Sequence, residues 1–252
     1  MHPEDTSGFR LVGHSDLMGF GDGMQVMPHG DVLYVGHFGP SGKGTSILDI
    51  SDPTTPRVIR QWDAPPGSHT HKVQVADDLL LVNHELFRSD GPAPVGMAVY
   101  HLGDPTDPMQ VGFFDTGGRG VHRIVYEGGD FAYISATPEG YRGRIWLIVD
   151  VSDPTNPTET GRWWWPGMWE AGDETLETPD GEEWQVHHAL VNGDRAYVGF
   201  WDGGMVVIDI SDLTAPKTIS RLGWEEGGHT HTSLPLPDRN LVVVTDEAVT
   251  EG

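Results

Sequence analysis

Histidine recurs at one place in a set of similar phrases along the chain. The triplet HTH stands at 69–71 and again at 229–231, and the phrases VHRIV and VHHAL carry histidine at 122 and 187. When the phrases are superposed, one equivalent position holds four histidines, with Met24 in the first copy: His71, His122, His187 and His231. Imidazole nitrogens are preferred ligands of iron, copper and zinc. If the phrases converge in space, this position predicts a metal site.

Further candidates flank this position. His69 and His229 stand two residues earlier, so on a strand their side chains share the face of the following histidine and predict a second tier. Glu85 and Glu247 each end the next apolar run. Their carboxylates are candidates to orient ligand imidazoles or to act as general bases, and an exposed, charged strand end is the simpler alternative.

A structural role for the histidines is the competing hypothesis. Each imidazole could cap a turn or bond the backbone of a neighbouring repeat. That hypothesis expects histidine in every copy, so Met24 in the first copy favours a site. By strict alternation along a strand, His188 and Arg123 are expected to point away from His187 and His122 and to pack in the interior.

A second repeated phrase predicts the local structure. It reads SILDISDPTTP at 46–56, and similar segments begin at 97, 146 and 205. Its aspartates stand at equivalent positions: Asp52, Asp104, Asp153 and Asp212. Aspartate bonds the backbone two residues on, and proline presets φ for a turn, so the phrase predicts two strands joined by a tight turn.

Two such hairpins in each repeat of about 50 residues predict an all-β fold, a β-propeller of four-stranded blades, with a β-sandwich as the alternative. The chain is expected to form one domain, 1–252. Its blade units are predicted at about 18–62, 63–114, 115–165, 186–224 and 225–252, the last incomplete. The innermost strand of each blade lines a central channel, where the histidines would meet.

The two ends of the chain and one insertion complete the predicted ring. Residues 9–17 resemble the last strand of a unit and are expected to close it, while the fifth unit stops after one hairpin. We therefore expect a C-terminally truncated ring of about six or seven blades. The tryptophan-rich insertion at 161–185 predicts either an aromatic wall over the channel or packing between blades.

Composition narrows the function classes. A formal net charge of −23 predicts no binding to nucleic acid or anionic membranes. Without cysteine there are no disulfides, thiolate metal sites or thiol catalysis. No signal peptide or membrane span is recognised, so we expect a cytoplasmic protein that binds a small molecule, with its oligomeric state open.

The phrases WLIVDVSDPTNP and MVVIDISDLTAP resemble the repeat of the LVIVD-repeat β-propeller family of bacterial and archaeal proteins. The resemblance extends from about 8 to 252 and implies the propeller fold. It carries little information on activity, because a fold does not fix a function.

Three functions remain open. The first is a metal-dependent oxidoreductase, hydrolase or lyase with iron or copper favoured, zinc or manganese possible, and the ion held on the axis. The second is a non-catalytic propeller that binds a small molecule or protein on its channel face. The third is a fragment that needs further units to act.

Overall fold

The computed structural model describes residues 8–39, 42–87, 91–179, 181–224 and 228–247. These residues form four antiparallel sheets, the second of which joins two blades through a single pairing of Gly120 with Glu85. We number the five blades as sheets 1 to 5 in chain order. Sheet 1 contains β1 (Gly23–His29), β2 (Val32–His37), β3 (Lys43–Asp49) and β4 (Arg57–Asp63). Sheet 2 contains β5 (Ser68–His69), β6 (Val73–Ala76), β7 (Leu79–Leu86), β8 (Gly96–His101) and β9 (Met109–Asp115). Both β5 and β6 pair with β7 and together form one interrupted innermost strand.

The later sheets repeat this plan. Sheet 3 contains β10 (Gly120–Val125), β11 (Phe131–Thr137), β12 (Ile145–Asp150) and β13 (Thr158–Trp163). Sheet 4 contains β14 (His188–Asn192), β15 (Arg195–Gly199), β16 (Met205–Asp209) and β17 (Lys217–Leu222), and sheet 5 contains β18 (His229–Leu236) and β19 (Leu241–Glu247). Each sheet is a meander whose sequence neighbours are spatial neighbours. The predicted all-β propeller architecture is confirmed.

The repeated aspartates build the turn between the third and fourth strands, as predicted. Asp153 Oδ1 accepts hydrogen bonds from the backbone N of Thr155 at 3.0 Å and from its Oγ1 at 2.6 Å. Three other turns repeat this pair of bonds, centred on Asp52, Asp104 and Asp212. These bonds lower the pKa of the Asp153 carboxyl below its usual range. The turn therefore depends on an ionised carboxylate.

Neighbouring sheets pack through close backbone approach at the outer strands. A Cβ added at Gly112 would lie 2.1 Å from Pro154 O, in the turn of the next sheet. A Cβ added at Gly161 would lie 2.0 Å from Leu213 O, in the equivalent turn one sheet further on. Between the sheets lie fully buried side chains, among them Trp146 and Phe200. Glycine thus sets the spacing between adjacent sheets.

Residues 9–17, expected to form a closing strand, form no strand in the structure. The last described sheet has only two strands, so this segment has no third strand to extend. It nevertheless occupies a related position, because a Cβ at Gly13 would lie 2.1 Å from Pro53 O, in the turn of sheet 1. This is the same contact that Gly112 and Gly161 make. The segment takes an outer-strand place without strand pairing.

The tryptophans of the 161–185 insertion pack mostly against sheet 4. Trp163 is buried, and Trp165 and Trp184 lie 5.8 Å and 5.9 Å from Phe200 between ring centroids. The guanidinium of Arg221 lies 4.2 Å above the Trp184 ring. Of the two expectations for this segment, packing between blades describes these tryptophans.

Sheet 5 is less covered than the others. Leu234, Leu241 and Val243 expose 43%, 51% and 44% of their surface.

Across the described ranges, no helix is long and apolar enough to cross a membrane.

We predict that Gly161→Ala lowers the stability of the fold, because its Cβ would meet a backbone carbonyl that cannot rotate away. The expected cost is about 1–3 kcal/mol, measured as a lower midpoint of thermal or urea unfolding. Gly103→Ala is the matched control, since its added Cβ would meet only the exposed His101 side chain. Equal losses in the two variants would contradict the packing argument.

Candidate metal centre in the central channel

An extra residue interrupts the start of the innermost strand in sheets 1, 3 and 5. The register shifts between Gly23 and Gln25, between Val121 and Arg123, and between Thr230 and Thr232. The extra residues are Met24, His122 and His231. A β-bulge of this kind leaves one residue unpaired and re-aims its side chain.

Sheets 2 and 4 carry the same irregularity. In sheet 2, His69 pairs with Glu85 and Val73 with Val82, so the innermost strand has one more residue than its partner across this interval. In sheet 4, His188 pairs with Gly199 while the backbone N of His187 also donates to Gly199 O at 2.8 Å. The position identified by superposing the sequences is therefore a bulge position in all five sheets.

The bulge overturns the expectation that Arg123 points away from the channel, because Arg123 lines the cavity. His188 is buried, as expected for a packing residue, but its ring contacts His187 instead of pointing away from it. His188 Nδ1 lies 3.1 Å from His187 Nδ1, and Arg123 Nη2 lies 3.0 Å from His231 Nε2. Strict alternation predicts opposite faces for consecutive residues, but at a bulge two residues oppose one and alternation fails.

The second strand of each preceding sheet holds the bulge in place. Asn83 Nδ2 donates to Val121 O at 2.7 Å, and Ser135 Oγ donates to His187 O at 2.7 Å. At the equivalent positions Gly36 and Gly199 leave space for backbone, and a Cβ there would lie 2.5 Å and 2.4 Å from the carbonyl oxygens of the next sheet's histidine. Neighbouring sheets thus fix the position of the backbone that carries each of these histidines.

The histidines border one cavity of about 670 Å³. Its walls come from all five sheets and include Met24 and the four predicted axial histidines, His71, His122, His187 and His231. Ring centroids are 5.6 Å apart for His71 and His122, 5.1 Å for His122 and His187, and 3.9 Å for His187 and His231. The four imidazoles form a continuous row in sheet order.

Within this row and its neighbours, the ligand atoms fall into two groups of three. The first group is His69, His71 and Glu85, and the second is His187, His188 and His231. In each group one ligand atom per residue lies within 4.8 Å of the others. His122 stands between the groups, with Nδ1 3.1 Å from Glu85 Oε1 and Nε2 3.3 Å from His187 Nε2.

The first group contains imidazole nitrogens that have no hydrogen-bond partner among the residues that the structure describes. Glu85 Oε2 accepts from His69 Nε2 at 2.7 Å, while His69 Nδ1 and His71 Nε2 are buried and unbonded. His69 also stacks on Phe87 with ring centroids 4.6 Å apart. Buried polar atoms are normally bonded, so unbonded ring nitrogens near a carboxylate suit a cation.

The second copy of the HTH phrase is placed differently. His229 Nδ1 bonds Asp202 Oδ1 at 2.6 Å, and its ring stacks on Trp201 at 4.3 Å, which keeps it out of both groups. Glu247 lines the cavity with 40% of its side chain exposed, and its Oε2 lies 3.9 Å from His187 Nε2. The phrases align in sequence, but only the first HTH brings both of its histidines into one group.

Burial keeps the ligand imidazoles neutral. It lowers the pKa of His122 to about 4 and of His188 to about 3, the latter helped by the charge of Arg123. Burial also lowers the pKa values of His71 and His187 far below their usual range. For Glu85 burial acts to raise the pKa, but contacts with His122 and hydrogen bonds from His122 and His69 lower it below its usual range, so the carboxylate is ionised. Neutral imidazole and ionised carboxylate are the metal-binding forms.

Sequence reasoning missed the cations of the cavity. Lys72, Arg123 and Arg144 all line it. Burial and the charge of Arg123 lower the pKa of Lys72 to about 7. Two of these cations could have been found from the sequence, because Lys72 and Arg123 each directly follow a bulge histidine. Arg144 immediately precedes the third strand of sheet 3, and it does not fall at a repeated sequence position.

We predict that the metal-free protein loses stability as the pH falls from about 7 to about 4. A lowered pKa in the folded state means that the unfolded chain binds more protons over this interval, so acid favours unfolding. For His122 alone, lowering the pKa from 6.5 to about 4 corresponds to about 3 kcal/mol of stability.

Urea unfolding of chelator-treated protein across this range measures the slope of stability against pH. His122→Gln should flatten it and the exposed His14→Gln should not; identical slopes in all three proteins would contradict the prediction.

Comparison with known protein families finds the LVIVD repeat at residues 20–63, 125–163 and 186–222. These segments fall on sheets 1, 3 and 4. A search of curated proteins finds no significant match.

Among the solved structures that match, two illustrate the range of similarity. A crystal structure of a protein from Lactobacillus plantarum has a TM-score of 0.61 at 14% identity and covers 86% of this chain. This chain spans 61% of that protein's length, and at such low identity the likeness concerns the fold alone. The computationally designed protein Ika8 has a TM-score of 0.47 at 11% identity, with 81% of this chain and 53% of that chain covered. The resemblance inferred from the sequence is thus confirmed: the chain carries LVIVD repeats on the antiparallel sheets of a β-propeller.

Proposed function

We propose that this chain is a metal-dependent enzyme that binds a transition metal through its channel histidines and acts on a small molecule. The observation that carries the proposal is the pair of three-residue groups, His69–His71–Glu85 and His187–His188–His231, whose ligand atoms lie within 4.8 Å of one another. Unbonded buried nitrogens on His69 and His71 support it.

Both groups match known kinds of catalytic ligand set. Two histidines with a carboxylate, or three histidines, leave a coordination position open for water or substrate. The 3.3 Å between His122 Nε2 and His187 Nε2 also equals the spacing of adjacent nitrogens on a tetrahedral ion, about 3.3 Å for bonds of 2.0–2.1 Å. His122 is therefore a further candidate ligand. A bound ion would supply Lewis-acid or redox chemistry.

The two glutamates suit different roles in this proposal. Glu85 bonds two imidazoles from a buried position, so it suits a ligand or an acceptor that orients His69 and His122. Glu247 is partly exposed and lines the cavity, so it suits proton transfer to a bound molecule. His229 lies outside both groups and is not proposed as a ligand.

Iron or copper is the proposed metal, with zinc and manganese as the other outcomes of the test. Nitrogen-rich sites favour iron, copper and zinc, while manganese prefers more oxygen ligands. The first group has one oxygen ligand and the second has none.

A non-catalytic propeller is the second candidate. It is favoured by the hydrogen bonds of Glu85 to His69 and His122, which join sheets 2 and 3 without requiring an ion. In that case the histidines hold neighbouring blades together, and the cavity binds a ligand or partner.

We predict that purified protein contains about one or two equivalents of transition metal per chain, measured by elemental analysis. His71→Ala should remove the metal of the first group, and His187→Ala with His231→Ala that of the second, because losing one of three ligands abolishes tight binding. His14→Ala, at an exposed histidine outside the cavity, should leave the content unchanged. Wild-type protein that holds no metal after growth and after reconstitution with iron, copper, zinc or manganese would rule out the proposal in favour of the non-catalytic propeller.

Catalysis itself is tested at Glu247. In a screen of small molecules with metal-loaded protein, Glu247→Gln should lower turnover about 10²–10⁴-fold while metal content stays unchanged, as expected for the loss of a general base. Glu183→Gln, on the same cavity wall, is the matched control. Full turnover in Glu247→Gln would remove this residue from the proposed chemistry.

A further inference from the structure

Positive charge is concentrated in the channel of a strongly acidic protein. The whole chain has 15 lysines and arginines against 38 acidic residues. Three of these cations, Lys72, Arg123 and Arg144, line the channel cavity, and among the described residues the carboxylates that line it are Glu183 and Glu247. The cavity lining therefore has more cationic than anionic side chains, in contrast to the chain as a whole.

None of the three cations forms an ion pair. Among the residues that the structure describes, no carboxylate oxygen lies within 4.0 Å of their nitrogens. Lys72 Nζ contacts Met24 Sδ at 3.2 Å, and Arg144 Nε donates to Val186 O at 3.0 Å. Arg123 contacts a histidine nitrogen, and its buried Nε has no hydrogen-bond partner within the described part of the chain. Buried charges in proteins are normally paired.

The nearby carboxylates have other partners. Glu85 is bonded to His69 and His122, and Glu183 Oε2 accepts from Gln185 Nε2 at 2.9 Å. Glu247 lies nearest to His187. The cations and carboxylates share the cavity region without neutralising each other in direct pairs. A partner for the cations is therefore expected from outside the chain.

We infer that the cavity binds a small organic molecule through an oxyanion, a carboxylate or a phosphate, held by Arg123, Lys72 and Arg144. This inference deepens the proposed function by naming the chemical class of the substrate, and in that sense rests on it. The guanidinium fork of arginine matches the geometry of both oxyanions, and its bonds strengthen where water is excluded. A divalent metal beside these residues would add further positive charge.

Cations and histidines occupy neighbouring positions on the cavity wall. The cations at 72 and 123 each directly follow a bulge histidine, so the bulges that aim His71 and His122 also place Lys72 and Arg123 at the cavity wall. A ligand bonded to Arg123 would lie beside His231, which Arg123 already contacts. The oxyanion would thereby anchor the rest of the molecule next to the second histidine group.

The test measures the thermal midpoint of the protein with added succinate or phosphate, each compared with chloride at equal ionic strength. A ligand that binds only the native state raises the midpoint with its concentration. We expect succinate, phosphate or both to raise it beyond chloride. Arg123→Gln should weaken the apparent affinity about tenfold to a hundredfold, as for loss of a charged hydrogen bond. Arg123→Lys should retain more affinity than Arg123→Gln.

Arg142→Gln, at an exposed arginine outside the cavity, is the control and should bind like wild type. Equal effects of the anions and chloride on wild-type protein, or equal losses in the 123 and 142 variants, would overturn the inference. If Arg123→Gln lowers the midpoint without ligand, Lys72→Gln provides the same comparison.

Each measurement is made on metal-loaded and on chelator-treated protein, so that the two proposals fail separately. If anion binding depends on Arg123 in chelator-treated protein, this inference holds whether or not the channel binds metal. The metal-dependent enzyme is removed separately, when the protein cannot be loaded with any of the four metals. If the protein holds metal but shows no specific anion binding, the metal-dependent enzyme is kept and the anion-binding inference is removed. A response to succinate alone identifies the carboxylate class, and a response to phosphate alone identifies the phosphate class.

Discussion

The arrangement of the channel depends on one extra residue at the start of each innermost strand. A regular strand would alternate its side chains and send every second one into the sheet interface. The bulge breaks this alternation, so that histidines at the extra position reach a common cavity. Because the second strand of the preceding sheet bonds or packs against the same backbone, the bulge is fixed by the neighbouring sheet as well as by its own. Packing between sheets and formation of the site are thus one constraint.

The sequence was sufficient to predict the fold and the row of histidines, because both follow from the repeated phrases. Superposing the phrases identified one structural position without knowledge of the bulge that creates it. The same superposition failed for His188 and Arg123, since a single extra residue reverses the direction of the one that follows. It also could not place Arg144, which no repeat marks, or the bond between His229 and Asp202. Features specific to one sheet depend on contacts between distant residues.

The same burial that suits the histidines to metal is costly for the cations beside them. Low dielectric holds imidazole in its neutral, ligating form and lowers the pKa of Lys72 to about 7. An acidic protein could have lined its channel with neutral side chains at lower cost. No described carboxylate lies within 4.0 Å of the arginine nitrogens in this cavity, and under the proposed anion binding these arginines would favour a negatively charged ligand. A metal and an oxyanion would each offset part of the other's burial cost, and the proposed metal and ligand sites would then stabilise each other.

The two HTH phrases show how one repeat produces an asymmetric site. In sheet 2 the first histidine turns to Glu85, and its unbonded Nδ1 stays buried. In sheet 5 the corresponding histidine stacks on Trp201 and bonds an aspartate of sheet 4, so its ring is removed from the cavity. Glu247 therefore lacks the imidazole partner that Glu85 has, and it remains partly exposed beside His187. In the proposed function the partly exposed Glu247 can reach a bound molecule for proton transfer, whereas Glu85, bonded to two imidazoles, would orient them. Divergence between the copies thus gives equivalent glutamates different surroundings, and the proposal assigns them different roles.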